Sequence, residues 1–200
     1  MAKHIYYFHL LAGMCMLELG NLASSLAPFN VSAVSVSLNA NAQEAGLVVT
    51  LELFFAAISS LYFGTVAYKG KVLGLFGSLI VVTCYYLCSI AENIDQITII
   101  KGFSGVGCGM LIASGHSILA SSYDPNRSYA IFTLFASVTA ALLIFISSTW
   151  IEDGGHKYYF SNFIYVYVAL TLFFFLAKKM EITSEEHSEI NKSKKWIYFL

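Results

Sequence analysis

The chain has 200 residues, 58% of them hydrophobic and 12% charged, with a formal net charge of −1 and a mean hydropathy of +0.70. Soluble domains carry about 25% charge and about 45–50% apolar residues, so an ordinary soluble domain is excluded. So are a nucleic-acid binder, which needs a basic surface, and a secreted disulfide scaffold. Cys15, Cys84, Cys88 and Cys108 fall inside apolar runs without Cys-x-x-Cys spacing, which indicates neither a disulfide frame nor a metal site.

Cut at its charge clusters, the chain falls into apolar runs of about 20 residues, the length of a helix crossing a ~30 Å hydrocarbon core. Six spans are predicted, near 5–27, 45–67, 72–91, 97–121, 128–150 and 158–177. The runs lack the period-two alternation of barrel strands. Helices and closed barrels are the spanning structures that satisfy every backbone group in lipid. The fold class is therefore an all-α membrane protein with the lipid bilayer as its surroundings.

Span one carries Glu18, Asn21 and Ser25, three and four residues apart, hence one stripe on a helix. Pro28 ends or kinks that helix a turn later. Glu18 interrupts the apolar stretch, which argues against a signal peptide and its apolar core of about 7–15 residues. Span two carries Glu52. Span three has no charge from Val72 to Ala91. Span four carries Lys101 and His116, with Gly102, Gly105, Gly109 and Ala113 on one face that allows close helix approach. Span five offers hydroxyls at Ser137, Thr139, Ser147 and Ser148, and span six is apolar on every side. From 178 to 195 nine of eighteen residues are charged, a cytoplasmic linker; Trp196 to Leu200 then begins a further apolar segment.

Orientation follows from the basic residues. With the amino terminus inside, Lys3, Lys69, Lys71, Arg127, Lys178, Lys179, Lys192, Lys194 and Lys195 share one side. Lys101 and Lys157 take the other, nine against two. That asymmetry marks the cytoplasmic face and places the chain in a plasma or inner membrane with a cytoplasmic amino terminus.

An ionisable side chain at mid-span costs about 2.5–3.5 kcal/mol on insertion scales, so it is a functional candidate by default. Four qualify: Glu18, Glu52, Lys101 and His116. Their distribution sorts spans one, two, four and five toward a cavity and spans three and six to the periphery. Glu18 is the deepest, about 20 Å above the inner end of its span. Glu52 and Lys101 enter from the outer side, where each either snorkels to the headgroups or takes part in an internal pair; Lys101 is placed to neutralise one of the two carboxylates. Asn21 and Ser25 suit either a water-filled path or interhelical hydrogen bonding, and His116 either an interhelical bond or a proton relay.

Gly102-Phe103-Ser104-Gly105 matches the Gly-x-Ser-Gly of rhomboid intramembrane proteases. A nucleophilic serine needs a base, which that family supplies from its sixth helix. Span six has no histidine, and His116 lies about 18 Å further along the same helix as Ser104. No catalytic residue and no cofactor are assigned, and the chain reads as no enzyme.

Several motifs together resemble the major facilitator superfamily of secondary transporters. Gly64-Thr65-Val66-Ala67-Tyr68-Lys69-Gly70-Lys71, between spans two and three, is similar to that family's cytoplasmic loop signature, with Tyr68 where the family has Asp. Gly64, Lys69, Gly70 and Lys71 carry the match. Lys101-Gly102-Phe103-Ser104-Gly105-Val106-Gly107 is similar to its fourth-helix Arg-x-x-x-Gly-x-Gly, with Lys for Arg; Asp124-Pro125-Asn126-Arg127 resembles the loop after helix four. The Gly-Pro signature of proton antiporters is absent from span five. The resemblance implies the amino-terminal six-helix half of that fold, two inverted three-helix repeats around a cavity lined by helices one, two, four and five. It implies alternating-access transport of a small solute, with proton coupling linked to the position of Lys101, and a second six-helix half in a complete transporter. The alternative is a non-transporting six-helix scaffold or assembly subunit.

Cysteine labelling in a cysteine-free background tests the orientation. Positions 69–71 and 178–195 should react from the cytoplasmic side and positions 92–95 and 152–157 from outside. The opposite pattern removes the orientation and the loop signature's meaning with it.

Overall fold

The computed structural model describes the backbone of residues 2–67 and 70–176, and the side chains of 8–67 and 70–174. Lys3, Lys69, the 178–195 linker and the 196–200 segment, as functional readings of side chains or tail, lie outside those side chains. The described chain is helical throughout: α1 (Ala2–Ser25), α2 (Ala27–Leu38), α3 (Ala42–Gly64), α4 (Gly70–Ile90), α5 (Ile94–Ala120) and α6 (Pro125–Leu172). A short 3-10 turn, Phe173–Leu176, follows.

Local sequence sets the helix starts. Asn41 accepts the backbone N–H of Gln43 and of Glu44, both at 2.9 Å, while the Glu44 carboxylate accepts the Asn41 N–H at 3.0 Å. This reciprocal cap satisfies N–H groups that a helix start leaves open. Asn93 caps α5 through the Gln96 N–H at 3.0 Å. Asp124 caps α6 through the Arg127 N–H at 3.1 Å, with Pro125 at a first-turn position where its missing N–H costs nothing.

Four helices, α3 to α6, are long and apolar enough to cross a membrane, and Phe8–Ser25 with Ala27–Leu38 passes the same test as a pair bent by 51°. The chain is an all-helical membrane protein. The bend sits where Pro28 opens α2. The sequence reading ends span one near residue 27 and places no helix after it, whereas Ala27–Leu38 is helical in the structure. Tertiary packing supplies what periodicity does not: Ala33 and Val34 are fully buried.

Spans five and six are predicted as separate helices; in the structure they are the two arms of α6, separated by a break at Gly155 (φ 62°, ψ −150°). A straight helix of that length would run about 72 Å, more than twice a ~30 Å core. The break folds it back. The rings of Trp150 and Phe163 meet edge to face at 5.3 Å, whereas thirteen residues of straight helix would part them by about 20 Å.

α5 is the hub, packed against α1, α3 and α4. Small residues make that possible. A Cβ at Gly105 would overlap the Glu52 carbonyl oxygen, and one at Gly109 would lie 2.6 Å from the Ala56 oxygen. On another side Gly107 meets Gly77 of α4, whose oxygen would lie 2.7 Å from an added Cβ. Gly115 meets the Leu17 backbone of α1 at 2.6 Å by the same measure. Gly102, expected on the seam with Gly105 and Gly109, faces the Phe55 ring at an ordinary 3.4 Å.

Gly105→Leu or Gly109→Leu should therefore drive α3 off α5. Overpacking costs about 1–3 kcal/mol where side chains yield, and backbone yields less. Thermal unfolding in detergent should fall by several degrees, with lower membrane yield. Wild-type unfolding of both variants would mean that the α3–α5 contact is not formed.

Candidate functional site

α3 turns Leu53, Phe54 and Phe55 outward and Glu52 inward, where it is fully buried. Opposite stands Lys101, two turns into α5 and also fully buried. Its Nζ donates to Glu52 Oε1 at 3.0 Å and lies at 3.0 Å from Oε2. Oε2 is near the ammonium without hydrogen-bond alignment and has no hydrogen-bond partner among the described residues. Ser104, three residues on and so on the same face of α5, donates its hydroxyl to Oε1 at 2.9 Å. The close approach at Gly105 is what lets a side chain as short as glutamate span the seam.

Aromatic faces complete the enclosure. The ammonium lies 4.1 Å from the Tyr85 ring centre of α4 and 5.1 Å from that of Phe160 in the second arm of α6. Tyr85 is braced by Phe160 at 5.6 Å and Tyr167 at 5.0 Å. The Tyr167 hydroxyl donates to the Leu19 carbonyl of α1 at 3.1 Å, and Ser78 of α4 bonds Thr171. Taking two ions out of water costs several kcal/mol each, offset here by their attraction, the Ser104 bond and the ring faces.

Glu18 is 1% exposed, and its Oε1 has no hydrogen-bond partner among the described residues. Lys101 thus neutralises Glu52 rather than Glu18, and neither member of that pair snorkels. The stripe below Glu18 is graded: Asn21 is half-buried, with its carbonyl accepting the Ser24 hydroxyl at 2.8 Å, and Ser25 is exposed. His116 is exposed at the far end of α5, where Nδ1 lies 3.0 Å from the Tyr129 hydroxyl of α6. Gly64 has open space around it, and Gly70 is buried as α4 begins. Lys71 is half-buried; Lys69 lies outside the described residues. Among the described residues no three His, Cys, Asp or Glu side chains are grouped to hold a metal.

Three members of the enclosure escape the sequence reading. Ser104 could have been found from its i+3 spacing to Lys101. Tyr85 and Phe160 could not, because they lie in the charge-free spans assigned to the periphery. In the structure α4 and the second arm of α6, both from charge-free spans, close over the ion pair, while the first arm of α6 is largely exposed.

The description Major Facilitator Superfamily matches this chain over residues 11–197. The chain belongs to that superfamily. It is a membrane transporter of the major facilitator type, a family of transporters and not of enzymes. No curated protein and no solved structure matches it.

The enclosed pair makes a double-mutant expectation. Glu52→Gln or Lys101→Met alone leaves one buried charge without its partner, a loss of about 3–5 kcal/mol. The double variant removes both charges and should recover most of that loss. Thermal unfolding of the three proteins checks it; a double variant no better than the worse single one would mean that the two side chains are not coupled.

Proposed function

We propose that this chain is the amino-terminal six-helix half of a secondary transporter that moves a small solute by alternating access. The six membrane crossings are α1, α3, α4, α5 and the two arms of α6, arranged as two inverted three-helix repeats, with α2 an outer extension of the first. The amino terminus is cytoplasmic, and the carrier sits in a plasma or inner membrane. A second six-helix half completes the cavity. The observation that carries the reading is the family match across residues 11–197, with loop and fourth-helix motifs in the order of an amino-terminal half.

Within that reading Glu18 is the coupling carboxyl. It is buried in α1, its Oε1 has no hydrogen-bond partner among the described residues, and it is not tied into the Glu52–Lys101 pair. An intramembrane carboxyl free of a fixed counter-charge can exchange a proton or a cargo group without dismantling the bundle. Glu52 and Lys101 hold the α3–α5 seam beside it. Asn21 extends the polar track from Glu18, and His116 guards the opposite end of α5.

Proteoliposomes holding the full-length carrier test the assignment. A panel of small solutes is screened for uptake with and without an imposed pH gradient. Glu18→Gln keeps the shape of the side chain, so folding should survive and gradient-driven accumulation should fall at least tenfold while downhill exchange persists. Unchanged accumulation and pH dependence would make Glu18 a packing residue. A wild-type carrier that moves no solute would remove the transport reading itself.

A further inference from the structure

Three segments converge on His156, the first residue beyond the break in α6, which is 4% exposed. Its backbone N–H donates to the Ser37 hydroxyl oxygen of α2 at 2.7 Å. Its Nε2 lies 3.1 Å from the carbonyl oxygen of Ala91, just past the end of α4. Its Nδ1 is buried without a hydrogen-bond partner among the described residues. Gly155 makes the junction possible, since a Cβ at its positive φ would overlap the Ser37 hydroxyl.

A carbonyl only accepts, so the Ala91 contact needs the imidazole proton on Nε2, and neutral imidazole then leaves Nδ1 as a bare acceptor. A second proton can go only to Nδ1. There it makes a buried cation whose N–H points at no acceptor, far costlier than the same charge in water. The groups around it offer no relief. α2 carries no ionisable side chain from Ala27 to Leu38. The α4 end brings the Ala91 backbone, with Cys88 buried a turn before and Glu92 exposed after it. On its own helix Glu152 and Asp153 are exposed, and Lys157 is the charged group that acts on the ring. His156 lies outside the apolar stretches of α6. Burial holds it below the ordinary histidine range; the Ala91 bond opposes this in part, and Lys157 adds to it.

We propose that the junction of α2, His156 and Ala91 is a proton-sensitive latch, closed on neutral imidazole and released when His156 is protonated, so that α2 leaves the break in α6. The sign follows from linkage. A released histidine titrates near 6.5 and the latched one lower, so closure is independent of pH above about 6.5. Below that, the closed population loses up to about tenfold per pH unit until the latched ring itself titrates. The latch stands apart from the role assigned to Glu18.

Spin labels at Val36→Cys, exposed on α2, and at Glu92→Cys beside Ala91 report the separation by electron paramagnetic resonance. The full chain is used, without its four native cysteines, in phosphatidylcholine nanodiscs. Measurements run from about pH 8 to about pH 5, either side of the ordinary imidazole range. One short separation is expected at neutral pH, with a longer one growing below about 6.5. His156→Gln can donate to Ala91 but takes up no proton, and should keep the short separation throughout. Ser37→Ala weakens the closed state and should move the acid transition to higher pH. A wild-type separation that ignores pH, or the same response in His156→Gln, overturns the latch. Should His156→Gln fail to fold, an unmoved midpoint in Ser37→Ala overturns it equally.

Discussion

Lipid offers no partner to a charge, so the two charges at the centre of this bundle must find each other or the bundle cannot form. That constraint organises the structure around the α3–α5 seam. Glu52 and Lys101 meet at 3.0 Å only because Gly105 and Gly109 let the two backbones touch. Ser104 supplies the one hydroxyl bond, and Tyr85 and Phe160 supply ring faces in place of water. Glu52 comes from α3, Lys101 and Ser104 from α5, Tyr85 from α4 and Phe160 from the second arm of α6. The pair therefore ties α3, α4, α5 and the second arm of α6 into one unit, and Tyr167 extends the tie to the α1 backbone.

Beside that ion pair stands Glu18, buried with its Oε1 lacking a hydrogen-bond partner among the described residues. A transporter needs both kinds of polar group. One must hold the helices in register throughout a cycle, and another must have bonding capacity left over for what passes. Unspent hydrogen-bonding capacity in a dry interior is expensive, and in native proteins it concentrates where function requires it. The division of labour proposed for the two carboxyl groups follows from the counter-charge that Lys101 gives Glu52 and that Glu18 lacks among the described residues, rather than from depth in the membrane.

The bundle also has two places where helix geometry is interrupted, the 51° bend between α1 and α2 and the reversal at Gly155. They are not independent. α2 leaves the bend and lands on the reversal through Ser37 and His156. Proline removes a donor from the first break and glycine admits a positive φ at the second. A segment joined to the bundle by few polar contacts opens at lower free energy than the core, which is why the junction is a natural place for movement.

Membrane class, the apolar stretches and the buried Glu18, Glu52 and Lys101 within them were legible in the sequence, because hydropathy and charge are local properties. So was the small-residue face of α5, since a helical period alone aligns Gly105 with Gly109. The family motifs around 64–71 and 101–107 were legible too, as patterns of residue type. Partnership was not. That Lys101 chooses Glu52 over Glu18, and that Tyr85 and Phe160 shelter it, depends on which helix faces which, a long-range matter that no periodicity encodes. Nor could local signals reveal α2, whose alternating Val and Ser become helical only when Ala33 and Val34 find a surface to bury against. Composition and spacing determined that this chain lives in lipid and where its costly charges lie. Tertiary packing alone decided which of those charges is neutralised and which is left with an open bond, because burial and hydrogen bonding are set by neighbours brought together from distant parts of the chain.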